Sequence, residues 1–520
     1  VTTTAPAEQG TAARSPRQAA AAGALAALAG LVAAEVFALV LPGRPSPVTS
    51  VADRIIAAAP DGVREWLIGA VGTLDKPLLV VGIVIAVVGG GALVGRLCAA
   101  RPQRAPWVFL AAGVVGFLVA WDGMAADLAP LGLVVGVGVT VASLVWNRLV
   151  PAPPPGSPAY ADGALERRTV LRAAAVVGGL AVLGVGIVAA TRRGSSAAVD
   201  AARAALRLPA PTDPAPPLPG GITPAVPGIA PAVTPNADFY QIDVSLTPPT
   251  VDVADWSLAI TGMVDSPRTL TYADLQALPS IERHVTLTCV SNEVGGDLVG
   301  NALWQGVRLT DLLESVGVQP DADALVGQSV DGFTAGFPLQ VLDDGRDAMV
   351  AYAMNGEPLP VKHGFPARLV VPGLYGYVSA TKWLAEIRLT TFNRETPFWL
   401  SRGWAADGTI EAASRIDVPR DGVRVPAGRV AVGGRAWHQH AGVGSVQVSV
   451  DGGLWVDARL ASPIGIDSWQ LWSWQWDAVP GRHTLRVRMV GLDGSPQVET
   501  ERPVFPGAAS GLHIITVDVG

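Results

Sequence analysis

The sequence is poor in charge, in cysteine and, over its first half, in histidine. Only 16% of its 520 residues are Asp, Glu, Lys or Arg, against about a quarter in a typical soluble protein. Half are hydrophobic, so a wholly soluble chain is not expected. Two cysteines, Cys98 and Cys289, exclude a disulfide scaffold, a CxxC zinc site and haem attachment through CxxCH. All six histidines lie beyond residue 280, which removes bis-histidine haem from the preceding apolar part, and no haem is expected in this chain. The net charge of −7 divides into +4 over residues 1–200 and −11 over the remainder. An acidic C-terminal part without a basic stripe excludes nucleic acid as a partner.

What the first 200 residues do contain is five apolar runs, 18–42, 77–95, 105–121, 128–147 and 173–191, with Glu35 the one charge among them. Each approaches the length needed to cross a hydrocarbon core of ~30 Å. The expectation is an all-α multi-pass transmembrane domain over 1–200, in contact with a lipid bilayer. Gly89–Gly91, the Gly132/Gly136 pair at GxxxG spacing and Gly138 suit close helix packing in lipid. Basic residues cluster before the first run (Arg14, Arg17), between the second and third (Arg96, Arg101, Arg104) and between the fourth and fifth (Arg148, Arg167, Arg168, Arg172). By the positive-inside rule the N-terminus is cytoplasmic and the chain after residue 191 lies outside the cytoplasmic membrane, although Arg192 and Arg193 count the other way. Arg167-Arg168-Thr-Val-Leu-Arg ahead of an apolar run reads equally as a twin-arginine-like export signal or as an ordinary basic flank. Glu35, a costly charge in lipid, is a functional candidate unless it serves a neighbouring helix or reaches the interface.

Ten prolines between Pro209 and Pro235 mark 201–235 as an extended, semi-rigid linker; Pro151–Pro158 is a smaller loop of the same kind. From 236 the pattern is α+β. Trp256–Thr261 and Val285–Val290 alternate as strands, while Thr271–Leu278, with Thr271 as cap, and Leu309–Val316 read as short helices. Beyond 410 only strand and turn signals remain, as in a β-sandwich. Trp472, Trp474 and Trp476 share one face, as packing residues more readily than as a ligand platform. Cys289 ends an alternating strand on the face of Val285 and Leu287 and precedes a Ser291-Asn292 turn. A lone cysteine there is either a small buried hydrophobe or a ligand.

The segments Thr286–Asn292, Gly300–Leu313 and Ala351–Pro360, and most strongly His363-Gly-Phe-Pro-Ala-Arg-Leu-Val-Val-Pro-Gly and Thr381-Lys-Trp-Leu, resemble the molybdopterin-binding domain of the sulfite oxidase family. Ser414–Pro419, Ala436-Trp437 and Ser449–Gly453 resemble that family's C-terminal Ig-like domain. The resemblance implies a molybdopterin-binding oxidoreductase domain over 236–405, an Ig-like β-sandwich over 406–520 and a molybdenum–molybdopterin cofactor. It implies Cys289 as the metal ligand, since a soft thiolate suits a metal already held by a dithiolene. Arg368 would grip the pterin phosphate, with His363, Lys382, Ser379, Asn236 and Tyr240 as further cofactor-binding residues. A small-molecule substrate, a separate electron-transfer partner and a homodimer go with it.

The departures concern the substrate. Sulfite-oxidising members follow the cysteine with Ala-Gly-Asn and two arginines; here Val290-Ser-Asn-Glu293-Val294 stands there. Thr396 occupies the place of their active-site tyrosine ahead of Trp399, and Gly442–Gly444 lack the arginine they carry after the Ala-Trp pair. An oxyanion wants fixed cations, so sulfite is disfavoured. His438 and His440, at i and i+2, become catalytic candidates as titratable donors, or cap a loop. The expectation is oxygen-atom transfer on a small substrate outside the cytoplasmic membrane. The alternatives are a sulfoxide- or N-oxide-type reductase of the same fold, and a non-catalytic membrane-tethered binding protein.

Overall fold

The computed structural model describes residues 16–38, 46–58, 75–121, 125–150, 196–245 and 248–520, with isolated positions between 172 and 179. The fifth apolar run, the twin-arginine-like sequence and the 151–158 loop lie outside the described residues. The chain forms two compact units, one over the N-terminal part to Ala197 with Val244–Thr247, the other over Ala198–Asp243 and Pro248–Gly520.

Among the described residues of the first unit, four helical stretches are long and apolar enough to cross a membrane: Pro16–Ala38, Pro77–Leu97, Pro102–Ala120 and Ala129–Leu149. Their burial runs opposite to that of a water-soluble bundle. Small residues such as Ala19, Ala22, Ala26 and Ala34 are buried, whereas Ile85, Leu97, Trp107, Leu118 and Leu144 point outward. Without lipid such a surface would be a very large exposed apolar patch. The helix Pro16–Ala38 packs against Asp75–Leu97 and Ala125–Leu149. A Cβ on Gly23, Gly91 or Gly95 would strike the backbone of the facing helix, and Gly30 meets Gly138 in the same way. The packing glycines are therefore not the Gly132/Gly136 pair expected from spacing. Gly136 has open space at its Cβ position, and Gly132 only grazes Phe117. A GxxxG spacing places two glycines on one face, but the partner's position decides whether that face is used. Glu35 has a structural partner: its Oε1 accepts the Val48 N–H at 2.9 Å, at the start of the short helix Pro47–Ala58, where a carboxylate satisfies an orphan donor.

The second unit opens on two sheets. One has strand order Arg268–Thr271, Ser257–Gly262, Leu384–Thr390, Ala324–Ser329, Thr334–Pro338, with a parallel central pair between Ser257–Gly262 and Leu384–Thr390. The other runs Ser280–Thr288, Val299–Arg308, Met349–Met354, all antiparallel, and Arg368–Val370 also pairs with Met349–Met354. Both helices read from the sequence form, at Tyr272–Ala277 and Leu309–Val316; the first carries a reciprocal capping box between Thr271 and Asp274. Further along are a four-stranded sheet built on Gly428–Trp437 and Gln470–Ala478 and a five-stranded sheet built on Gly481–Gly491 and His513–Val519. One hydrophobic cluster collects inward residues of both, including Val432, Trp472, Trp476, Val448, Val487 and Val517. The tryptophan stripe is thus packing, with Trp474 against the same core.

The proline-rich segment, read from sequence as an extended, semi-rigid linker, does not stand off from the second unit. It is extended but docked along the second unit. Thr212 N–H donates to the Ser280 carbonyl at 2.8 Å, Gln305 donates to the Pro209 carbonyl at 2.8 Å, and Trp469 Nε1 donates to the Ala232 carbonyl at 2.7 Å. A proline lacks an N–H but keeps its carbonyl, so an extended proline-rich strand still presents acceptors that a folded surface can satisfy.

Candidate active site

Cys289 follows the strand Ser280–Thr288, whose inward Val285 and Leu287 are fully buried. Its N–H donates to the Leu298 carbonyl at 2.9 Å, and its own carbonyl accepts the Asn292 N–H at 3.0 Å. Asn292 Oδ1 in turn accepts the Leu298 N–H at 2.8 Å, closing a tight loop that fixes the cysteine. Cys289 is half-buried and makes no disulfide. Burial pushes its thiol above the ordinary range, while hydrogen bonds from Ser291 and the charge of Lys382 pull the other way.

Five stretches of chain converge on this loop. The 236–243 segment brings Tyr240, whose buried hydroxyl is raised by burial and by Cys289 and lowered by Arg368, so all three groups lie within electrostatic reach. The turn after Val361–His363 and the strand Arg368–Val370 bring His363 and Arg368. Arg368 is 5% exposed. Its guanidinium lies over the Trp304 ring at 5.0 Å and donates to the His363 carbonyl at 3.1 Å. No carboxylate among the described residues is hydrogen-bonded to it, and burial pushes its pKa down to about 10, only partly offset by the charges of Tyr240 and Asp243. His363 Nε2 bonds the Asn236 carbonyl at 2.9 Å. Burial first, then Arg368 and the two lysines, hold its pKa down near 4, so it is neutral at ordinary pH. Lys382 is ion-paired with Asp243 and lies over the Trp383 ring at 5.0 Å. Tyr375 completes the surround, its buried hydroxyl raised by burial and, to a lesser degree, by Cys289.

A family model described as an oxidoreductase molybdopterin binding domain matches residues 245–399. The uncharacterized oxidoreductase YuiH of Bacillus subtilis is 38% identical over 159 residues, which cover 30% of this chain and 76% of that protein. The chain belongs to the molybdopterin-binding oxidoreductases. Mitochondrial sulfite oxidase of Homo sapiens is 30% identical over 52% of this chain and 58% of its own length, so the chain spans just over half of that relative. A crystal structure of the sulfane dehydrogenase SoxCD from Paracoccus pantotrophus covers 56% of this chain and 85% of its own, at 24% identity and a TM-score of 0.49. The family's cofactor is molybdenum–molybdopterin, and the residues present fit it. A buried guanidinium whose described hydrogen bonds go to carbonyls and not to a carboxylate is costly and suits an anion such as the pterin phosphate. A single thiol with no cluster of His, Cys, Asp or Glu that could hold a metal, among the described residues, suits a metal whose other ligands arrive with the cofactor.

Other expected site residues of this oxidoreductase are differently placed. Ser379 is fully buried, and its hydroxyl donates to the carbonyls of Tyr375 (3.0 Å) and Leu374 (3.3 Å), closing the one-turn helix Gly376–Ser379. The Asn236 amide is held by Asn355 at 2.8 Å and donates to Glu357 and the Met354 carbonyl. Both shape the walls rather than offer free polar groups. The described contacts of His438 and His440 are with groups other than Cys289. His438 sits beside Gly491 and within electrostatic reach of Asp493. His440, in the left-handed region at φ 61°, lies 3.4 Å from Asp344 and 3.5 Å from Asp467. The expectation that they share a strand face fails because the strand ends at Trp437 and a turn follows.

Two residues escaped sequence reasoning. Arg415 and Arg435 line a cavity of about 400 Å³ together with Tyr240, Leu298 and Val299. Their signal was present: each sits within a strand next to a core residue, Arg415 beside Ile416 and Arg435 beside Ala436, and so on the face turned away from the sheet-to-sheet core. Only the fold shows that this face looks toward the 236–241 segment and the Cys289 loop.

Proposed function

We propose that the chain is a membrane-anchored molybdenum oxidoreductase working on the outer side of the cytoplasmic membrane, with Cys289 as the protein ligand to the metal. The single observation that carries the site assignment is Arg368, a buried cation with no hydrogen-bonded carboxylate among the described residues, within reach of the same tyrosine hydroxyl as the Cys289 thiol. Arg368 holds the pterin phosphate by its free guanidinium edge. His363, neutral and fixed by Asn236, and Lys382, held by Asp243, flank it; Tyr240, Asn236 and Ser379 set the cofactor's walls. The cofactor supplies a two-electron couple for oxygen-atom transfer to or from a small substrate, and a separate protein exchanges the electrons. What the chain itself does is position the metal through Cys289, exclude water with Tyr240 and Tyr375, and keep protons off His363.

In this reading residues 1–200 anchor, 201–235 connect, 236–405 bind the cofactor, and 406–520 form an Ig-like sandwich of the dimerisation type. Glu293 in place of arginine after the cysteine argues against sulfite as substrate, and a sulfoxide- or N-oxide-type reductase is the nearest alternative. Molybdenum and pterin analysis of the full chain, purified from the membrane fraction, tests the proposal. Stoichiometric metal is expected; exported, folded protein lacking both would refute it.

A further inference from the structure

The cavity beneath the proline-rich segment holds a charge arrangement that the proposed cofactor chemistry does not use. Asp417 bridges two arginines: Arg415 Nε donates to Oδ1 at 2.7 Å and Arg435 Nε donates to Oδ2 at 2.8 Å. Two guanidiniums thus share one carboxylate and leave one positive charge in excess. Arg435 is 5% exposed and its guanidinium lies 4.1 Å from the centre of the Trp469 ring. Trp469 is itself pinned by its bond to Ala232, so the stack is rigid. Arg415 spends one Nη on the Gly296 carbonyl. Neither Nη of Arg435 nor the second Nη of Arg415 donates to a described protein atom, and both side chains line the cavity. Burial lowers the Arg435 pKa despite Asp417, the direction expected where the local acid only partly compensates the cation.

Leaving a buried charge short of its counter-charge is expensive, and a planar fork presenting free N–H groups matches a carboxylate, sulfate or phosphate better than any neutral ligand. We propose that the Arg415–Asp417–Arg435 cavity is a binding site for a small oxyanion, held by the free edge of Arg435 and the second Nη of Arg415. Asp238 and Asp297 also line the cavity but are solvent-exposed, so water screens them while the arginine pair acts from within. The site stands on residues other than the proposed metal and phosphate ligands, with Tyr240 the one wall they share.

The test is calorimetric titration of the full chain in detergent with sulfate, phosphate and acetate, each against chloride at constant ionic strength. Molybdenum and pterin content are measured on the same preparations, which reads this inference separately from the cofactor assignment. Saturable binding is expected, weakened about 10- to 100-fold by Arg435→Gln, the loss of a charge-assisted hydrogen-bond pair. Arg435→Lys, which keeps the charge but loses the fork, is expected to weaken it less. Asp417→Asn is expected to bind no more weakly than the parent, because it removes the competing carboxylate; a purely structural triad would lose as much from this change as from Arg435→Gln. A response that does not saturate, one that survives Arg435→Gln, or equal loss in Asp417→Asn and Arg435→Gln would overturn the proposal.

Discussion

Replacing Arg368 by Met should make the cofactor-free protein more stable and the cofactor-loaded protein less so. The guanidinium is 5% exposed and its pKa is pushed well below the ordinary arginine range, to about 10, chiefly by burial. At 1.36 kcal/mol per pH unit, holding the charged form in this site costs roughly 3 kcal/mol. Met is close in volume to the aliphatic stem and keeps contact with Trp304. It leaves the His363 carbonyl without its donor at 3.1 Å, which returns about 1 kcal/mol. The net gain for the cofactor-free chain is about 2 kcal/mol, read as a few degrees in Tm. With cofactor the balance reverses. Losing charge-assisted bonds to a phosphate removes roughly 1.5–3 kcal/mol for each, so retained pterin should fall by at least about tenfold. Thermal melts of cofactor-stripped and loaded protein, with pterin quantified fluorometrically, give both signs. Lower stability of the stripped variant with unchanged pterin content would show that Arg368 is a structural strut and refute the reasoning.

Other outcomes follow from the same geometry. Cys289→Ala should abolish turnover while leaving the melt of the stripped protein within about 1 kcal/mol, since it removes a single half-buried sulfur; retained activity would contradict its role as ligand. His363 is depressed from 6.5 to about 4, so the unfolded chain binds its proton first. Its contribution is present above pH 6.5 and is lost as pH falls toward 4, roughly 3 kcal/mol in all. His363→Asn should flatten that part of the acid-side stability curve; an unchanged curve would mean the imidazole is not buried neutral. In the helical unit, Gly95→Val should disrupt packing of the first helix and lower detergent stability by about 2 kcal/mol or more, whereas Gly136→Ala should be neutral. Equal effects would contradict the helix pairing.

Much of this was readable from residue order. Alternation fixed the strand that delivers Cys289, and Thr271 with Asp274 fixed a helix start. The long motif around His363 and Arg368 located the cofactor block because its turn and strand are contiguous in sequence. What could not be read depends on partners remote along the chain. Gly91 and Gly95 pack while Gly136 does not, because the first helix lies along only one of those faces. Pro209 and Ala232 are docked because Gln305 and Trp469 reach their carbonyls. Arg415 and Arg435 meet only through Asp417 and the pairing of two strands some 20 residues apart. His438 and His440 looked like a strand pair because nothing local announces the turn at Trp437.

The central claim is that Cys289 joins this chain to molybdenum, and X-ray absorption at the molybdenum edge tests it most directly. Compared with the full wild-type chain, Cys289→Ala that still carries pterin should show one fewer sulfur neighbour at the metal. An identical sulfur count in the two proteins would contradict the assignment.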